Sequence, residues 1–131
     1  MEIRVDLARV IISETSDQQV IVLRERDGER SFPIIIGIFE AVAIDRKVKD
    51  IQVPRPLTHD LLNNTIRELG GELDRVVVSD LREGTFYATL HVRRDGGDIE
   101  IDARPSDGIA LAVRAGCPLY VEDSVLDKAA D

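Results

Sequence analysis

Apolar and polar residues recur along this chain with periods that separate strands from helices. Ile3, Val5 and Leu7 alternate with Arg4 and Asp6, and Val10, Ile11 and Ile12 then run together. This predicts a first strand over 1–13 whose end is buried on both faces. A second apolar run, Val20 to Leu23, is followed by Asp27-Gly28, a strong hairpin signal. Phe32 to Ile36 is the third strand, and Pro33 near its start, lacking an N–H, points to a sheet edge or a strand entry. From Gly37 to about Lys49 the period changes to a helical one, with Ile38, Ala41, Val42, Ile44 and Val48 on the repeat. Pro54 and Pro56 force an extended linker. Thr58 is a natural N-cap for a second helix with a stripe of Leu61, Leu62, Ile66 and Leu69, and Gly70-Gly71 stops it.

The second half repeats the plan. Leu73 to Leu81 reads as a strand centred on Val76-Val77-Val78, and Thr85 to Arg93 alternates most cleanly of all. Taking Gly96-Gly97 as the turn sets Arg93 opposite Glu100, His91 opposite Asp102 and Thr89 opposite Arg104. The next strand turns Ile99, Ile101 and Ala103 inward, with Glu100, Asp102 and Arg104 outward. Pro105-Ser106-Asp107 opens a third helix, with Ser106 as its cap, which is apolar all round from Ile109 to Val113 and ends at Gly116. Leu119 to Val121 is a short strand, and 122–131 is expected to make a helical turn and then fray. The order βββ-α-α-βββ-α-β is that of an α+β fold with antiparallel sheets, in one domain over 1–131. Three strands followed by a helix in each half is the pattern an internal structural duplication leaves.

Composition narrows the function classes. The 131 residues hold 17 basic and 25 acidic side chains, a net charge of −8. That argues against capturing nucleic acid by bulk electrostatics. One cysteine excludes an internal disulfide, and two histidines limit any histidine-rich metal site. No apolar run approaches membrane-spanning length, and the first six residues lack the apolar core of a secretory leader. The expectation is a cytoplasmic protein without a membrane partner. P-loop, GxGxxG, HExxH and GxSxG patterns are absent from the sequence.

Chemistry-bearing residues collect in four places. Glu40 lies in the first turn of the first helix, where the dipole favours a carboxylate. Arg55, His59 and Asp60 crowd into one proline-stiffened turn at a helix start, where free N–H groups favour anions. The polar face of the central hairpin carries His91, Arg93 and Glu100, which cross-strand pairing accounts for without a further role. The fourth is the turn from Asp102 through Arg104 and Ser106 to Asp107, with more charge than capping needs.

Five strings of this chain taken together resemble the bifunctional nuclease domain family. They are Pro33-Ile34-Ile35-Ile36-Gly37 with Glu40-Ala41, Pro54-Arg55-Pro56-Leu57-Thr58-His59-Asp60-Leu61, Glu83-Gly84-Thr85-Phe86-Tyr87-Ala88, and Ile101-Asp102-Ala103-Arg104-Pro105-Ser106-Asp107. The resemblance runs from about residue 3 to 126 and implies a nuclease acting on RNA and DNA. It points to Glu40, Arg55, His59, Asp60, Tyr87, Asp102, Arg104 and Asp107. Gly108 stands where the family usually has alanine.

Two function classes follow. In a phosphodiesterase, Glu40, Asp60, Asp102 and Asp107 are candidate acids, bases or ligands, and Glu40, Asp102 and Asp107 would share Mg²⁺ or Mn²⁺. His59 would be the general base or acid, while Arg55, Arg104, Ser106 and Tyr87 hold the phosphate of a weakly bound nucleic acid. In the alternative, a non-catalytic binding or regulatory module, the same turns dock a ligand anion or partner. Exposed sheet edges make a homo-oligomer, dimer or higher, the expectation.

Overall fold

The computed structural model describes residues 1–130; Asp131, the last residue of the tail expected to fray, lies outside them. The elements run β1 (Glu2–Ile11), β2 (Gln19–Glu25), β3 (Ser31–Ile36), α1 (Ile38–Val48), α2 (Thr58–Glu68), β4 (Gly71–Arg82), β5 (Thr85–Arg94), β6 (Gly97–Ala103), α3 (Pro105–Ala115), β7 (Leu119–Glu122) and α4 (Asp123–Ala129). The α+β class and the element order therefore stand as read from the sequence, with one helix added at the end. The tail is helical over α4 because Val125 and Leu126 are buried in the core.

All seven strands join one sheet in the order β3-β2-β1-β7-β4-β5-β6. Two three-stranded antiparallel meanders, β1–β3 and β4–β6, flank β7, which runs antiparallel to β1 and parallel to β4. The edges are β3, where Pro33 sits, and β6. The sheet is rolled. Phe32 of β3 stacks on Phe86 of β5 with ring centroids 5.5 Å apart, although a flat sheet would separate these strands by five spacings, about 24 Å. Inside the roll lies α3, buried at Pro105, Ser106 and Gly108 to Ala112, against β4 and β5 on one side and α1 and α2 on the other. Its close approach depends on Gly108, where a Cβ would come within 2.9 Å of Val76 Cγ1. Core residues Ile21, Leu23, Phe32, Val76, Ile109 and Leu111 fill the space between.

Several local expectations are corrected. The β5–β6 turn is Asp95-Gly96, with φ of 50° and 77°, rather than Gly96-Gly97. Positive φ at both central residues matches the twist of a two-residue hairpin. The register moves by two, so His91 lies opposite Glu100, Thr89 opposite Asp102 and Arg93 opposite Asp98. A two-residue shift keeps every side chain on its predicted face. Ile11 and Ile12, expected to be buried, are exposed: β7 pairs only as far as Val5, and Ile11, still paired with Val20 of β2, ends the strand. Ile99 and Ile101 are also exposed, because β6 is an edge strand with no helix over it. Leu57, not Thr58, occupies the cap of α2, and the Asp60 carboxylate accepts its backbone N–H at 2.9 Å. Arg104, not Ser106, precedes α3. The stripe of α2 is half open: Leu61, Leu62 and Leu69 are exposed, Ile66 is half-buried, and the buried residue is Asn63.

Candidate active site

Three of the four polar clusters read from the sequence meet at the open end of α3. Helix α2 starts at Thr58, so His59 is its second residue and projects toward the first turn of α3. There His59 Nε2 lies 2.9 Å from Asp107 Oδ1. The other carboxylate oxygen, Oδ2, accepts from Arg104 Nε at 2.9 Å and lies 2.8 Å from its Nη2 in an ion pair. Arg104 Nη1 reaches Glu40 Oε1 at 3.4 Å. The result is a relay Glu40–Arg104–Asp107–His59 drawn from α1, the β6–α3 junction, α3 and α2.

Asp107 sets the electrostatics. Its partial burial works against ionisation, but the hydrogen bonds from His59 and Arg104 outweigh burial and hold the carboxyl below its usual range. An ionised carboxylate only accepts hydrogen bonds, so Nε2 of His59 carries the proton. In the neutral imidazole Nδ1 then holds the lone pair. Among the described residues Nδ1 has no hydrogen-bond partner, and it is not sealed from solvent.

Asp60, one residue on, faces a different partner. Its Oδ1 accepts from Arg114 Nε at 2.7 Å while Oδ2 accepts from the Leu57 N–H. Burial pushes the Asp60 carboxyl upward, and these two bonds more than reverse it, leaving it below its ordinary value. Arg114 also donates to the carbonyls of Ala110 and Ala43, joining α1, α2 and α3 behind the site. Sequence reasoning missed Arg114. It carried no local signal beyond a basic residue in a last helical turn, and its carboxylate lies 54 positions away.

The other predicted residues fall elsewhere. Asp102 lies opposite Thr89, on the sheet face turned away from α3, where its charge acts on Arg82. The strand ends at Ala103 and the chain turns at Arg104 into α3, which carries Arg104 and Asp107 away from it. Tyr87 shares that far face, with the Arg82 guanidinium 4.5 Å from its ring centre. Arg55 is exposed on the proline loop and lines a separate cleft with Arg46, Lys47 and Asp60. Ser106 is buried at the start of α3, facing a cleft between β3 and the β4–β5 turn. The trio Glu40, Asp102 and Asp107 is not assembled around a cation position. Among the described residues no three His, Cys, Asp or Glu side chains are grouped to hold a metal. A guanidinium already lies between Glu40 and Asp107. The carboxylates in this arrangement do not fit the expected ion.

Beside the relay opens a groove of about 740 Å³ between α1, α2 and β6. His59, Arg104 and Asp107 stand at its polar end, and Val42, Leu62, Ile66 and Ile101 make it apolar beyond. A largely apolar cavity with a few converging polar groups is the usual form of a small-molecule or substrate site. Among the described residues no helix is long and apolar enough to cross a membrane.

Residues 21–131 match the family described as the bifunctional nuclease domain. An uncharacterised protein of Mycobacterium tuberculosis (strain H37Rv) is 47% identical over 128 residues, which cover 98% of this chain and 75% of that protein. Bifunctional nuclease 2 of Oryza sativa subsp. japonica is 30% identical over 118 residues, covering 87% of this chain and 36% of the plant protein. Bifunctional nuclease 1 of Arabidopsis thaliana is 30% identical over 105 residues, or 77% and 32%. The chain therefore spans about a third of the length of these plant relatives.

Proposed function

The chain belongs to the bifunctional nuclease domain family, and from that membership we propose that it hydrolyses phosphodiester bonds in RNA and DNA. The observation that carries the reading is Asp107, one carboxylate joined to an imidazole through one oxygen and to a guanidinium through the other. This is the division of labour hydrolysis needs. Asp107 fixes the tautomer and orientation of His59, as a carboxylate does for a catalytic imidazole elsewhere. His59 Nδ1 takes a proton from the attacking water while the water oxygen forms its bond to phosphorus. The bond from phosphorus to the sugar oxygen breaks, and that oxygen is protonated from solvent. Arg104, two-thirds exposed, stabilises the charge on the phosphate oxygens. Glu40 positions Arg104, and Asp60 positions the turn that bears His59. No step is routed through a cation. A cytoplasmic site of action accompanies this reading.

The test is cleavage of labelled single-stranded RNA and DNA by the purified chain. His59→Ala and Asp107→Asn are expected to lower the rate by about a hundredfold or more, the range of a lost general base, with unchanged circular dichroism. Cleavage undiminished by either substitution overturns the reading.

The second reading, a non-catalytic oligomeric module, is favoured by exposed apolar side chains on two surfaces: Ile35 on the β3 edge, and Leu61 and Leu69 on α2. It predicts a sedimenting mass of at least two chains and no cleavage of any nucleic acid.

A further inference from the structure

The chain contains five aromatic residues, three Phe and two Tyr. Four have partners for their rings: Phe32 and Phe86 stack on each other, Tyr87 lies under Arg82 and Tyr120 under Arg4. Among the described residues Phe39 is the exception. It is 84% exposed and lines the rim of the apolar groove, on the same turn of α1 as Glu40 and across from His59. A planar apolar face left open to water beside a polar relay is costly unless something flat covers it.

Charge decides what that occupant is. The guanidiniums lining the groove are those of Arg46 and Arg104, and Arg104 already serves two carboxylates. Strand β6, which forms one wall, gives Ile101 to the groove and turns Asp98, Glu100 and Asp102 to its opposite face. A duplex presents a negative charge about every 1.7 Å of its axis and needs a broad basic surface; the groove offers two guanidiniums. A single unstacked nucleotide needs no such surface. Its base finds an aromatic ring and an aliphatic slot of Val42, Leu62, Ile66 and Ile101, and its phosphate finds Arg104 beside His59.

We infer that the groove holds one unpaired nucleotide, with Phe39 as the stacking platform for its base, so that the chain acts on single-stranded rather than duplex nucleic acid. This rests on the proposed hydrolase reading for the chemistry, but the base slot is separable from it. Phe39 is a positioning residue: it sets where the phosphate lies relative to His59 and touches no reacting atom. Recognition comes mainly from stacking, which is sequence-tolerant. The salt dependence is shallow, because two cations give a slope of log K against log salt of about −1.4 for a single strand.

The experiment compares the 131-residue chain with Phe39→Ala and Phe39→Trp on a fluorescein-labelled oligonucleotide, single-stranded and annealed to its complement. Phe39→Ala is expected to raise KM about tenfold, the order of one lost stacking contact, with kcat held within about twofold and Phe39→Trp restoring KM. The annealed strand is cut at least about tenfold more slowly, since unpairing must precede binding. An abasic nucleotide at the cut site removes the difference between wild type and Phe39→Ala. Fluorescence anisotropy in a His59→Ala background gives the salt slope. Cleavage that persists with KM unmoved by Phe39→Ala, or equal rates on both forms, overturns the inference and leaves the hydrolase reading standing. Phe39-dependent single-strand binding without cleavage supports the base slot and removes the hydrolase reading. A drop in sedimenting mass on Phe39→Ala with KM unmoved identifies a second copy as the ring's partner and overturns the inference. Neither binding nor cleavage removes both.

Discussion

Replacing Arg114 by methionine keeps most of the aliphatic stem and removes the guanidinium. The side chain is only 5% exposed, and the change deletes three hydrogen bonds, to Asp60, Ala110 and Ala43. Removing one partner of a buried pair costs about 3–5 kcal/mol because the other charge is left uncompensated. Asp60 keeps 27% of its side-chain surface and its bond from the Leu57 N–H, so the lower end applies, about 3 kcal/mol. For a chain of this size that is a fall in Tm of about 10 °C. Urea unfolding followed by circular dichroism measures it, with Asp60→Asn and the double variant completing a cycle. The double variant is expected to lose less than the two singles combined, by more than about 1 kcal/mol. The pH dependence has a definite sign. The Asp60 carboxyl is held below its unfolded value by Leu57 and Arg114 against the opposing effect of burial. Its contribution is therefore complete above about pH 4, near the unfolded value, and is lost as pH falls through the folded one. The gap between wild type and Arg114→Met should narrow below about pH 4. A loss under about 1 kcal/mol at neutral pH, or simple additivity with Asp60→Asn, would refute the account of Arg114 as the pin behind the site.

Three further outcomes are expected. Gly108→Ala should destabilise by about 1 kcal/mol despite a comparable gain in helix propensity, because the new methyl meets Val76 Cγ1 at 2.9 Å and overpacking costs about 1–3 kcal/mol; a raised urea midpoint would contradict this. Millimolar Mg²⁺ or Mn²⁺ without nucleic acid should shift Tm by less than about 1 °C, since Arg104 already bridges Glu40 and Asp107; a shift of several degrees would reveal a cation site in the folded chain. Burial pushes the Cys117 thiol up to about 11, so alkylation by iodoacetamide at pH 8 should run at under about a tenth of the rate of a free thiol; a rate matching glutathione would show an accessible thiolate.

Periodicity alone carried the seven strands, the first three helices, their order and the α+β class, because periods of two and of 3.6 are local properties of the chain. Pro33 marked an edge, the glycine pairs marked where elements stop, and the faces of β5 and β6 survived a register error because that error was an even number of residues. The sequence also singled out the four members of the relay, Glu40, His59, Arg104 and Asp107, as separate charged turns. Their meeting is a tertiary fact. His59 and Asp107 are 48 positions apart, and only the burial of α3 inside a rolled sheet brings the start of α2 to its first turn. The same packing left half the α2 stripe in water, since a helix pattern says which face is apolar but not which angle the neighbours will cover. It put Arg114 behind Asp60 with no local signal. And it parted Asp102 from Arg104, which the strand pattern set on one face, because β6 ends at Ala103 and Arg104 turns into α3.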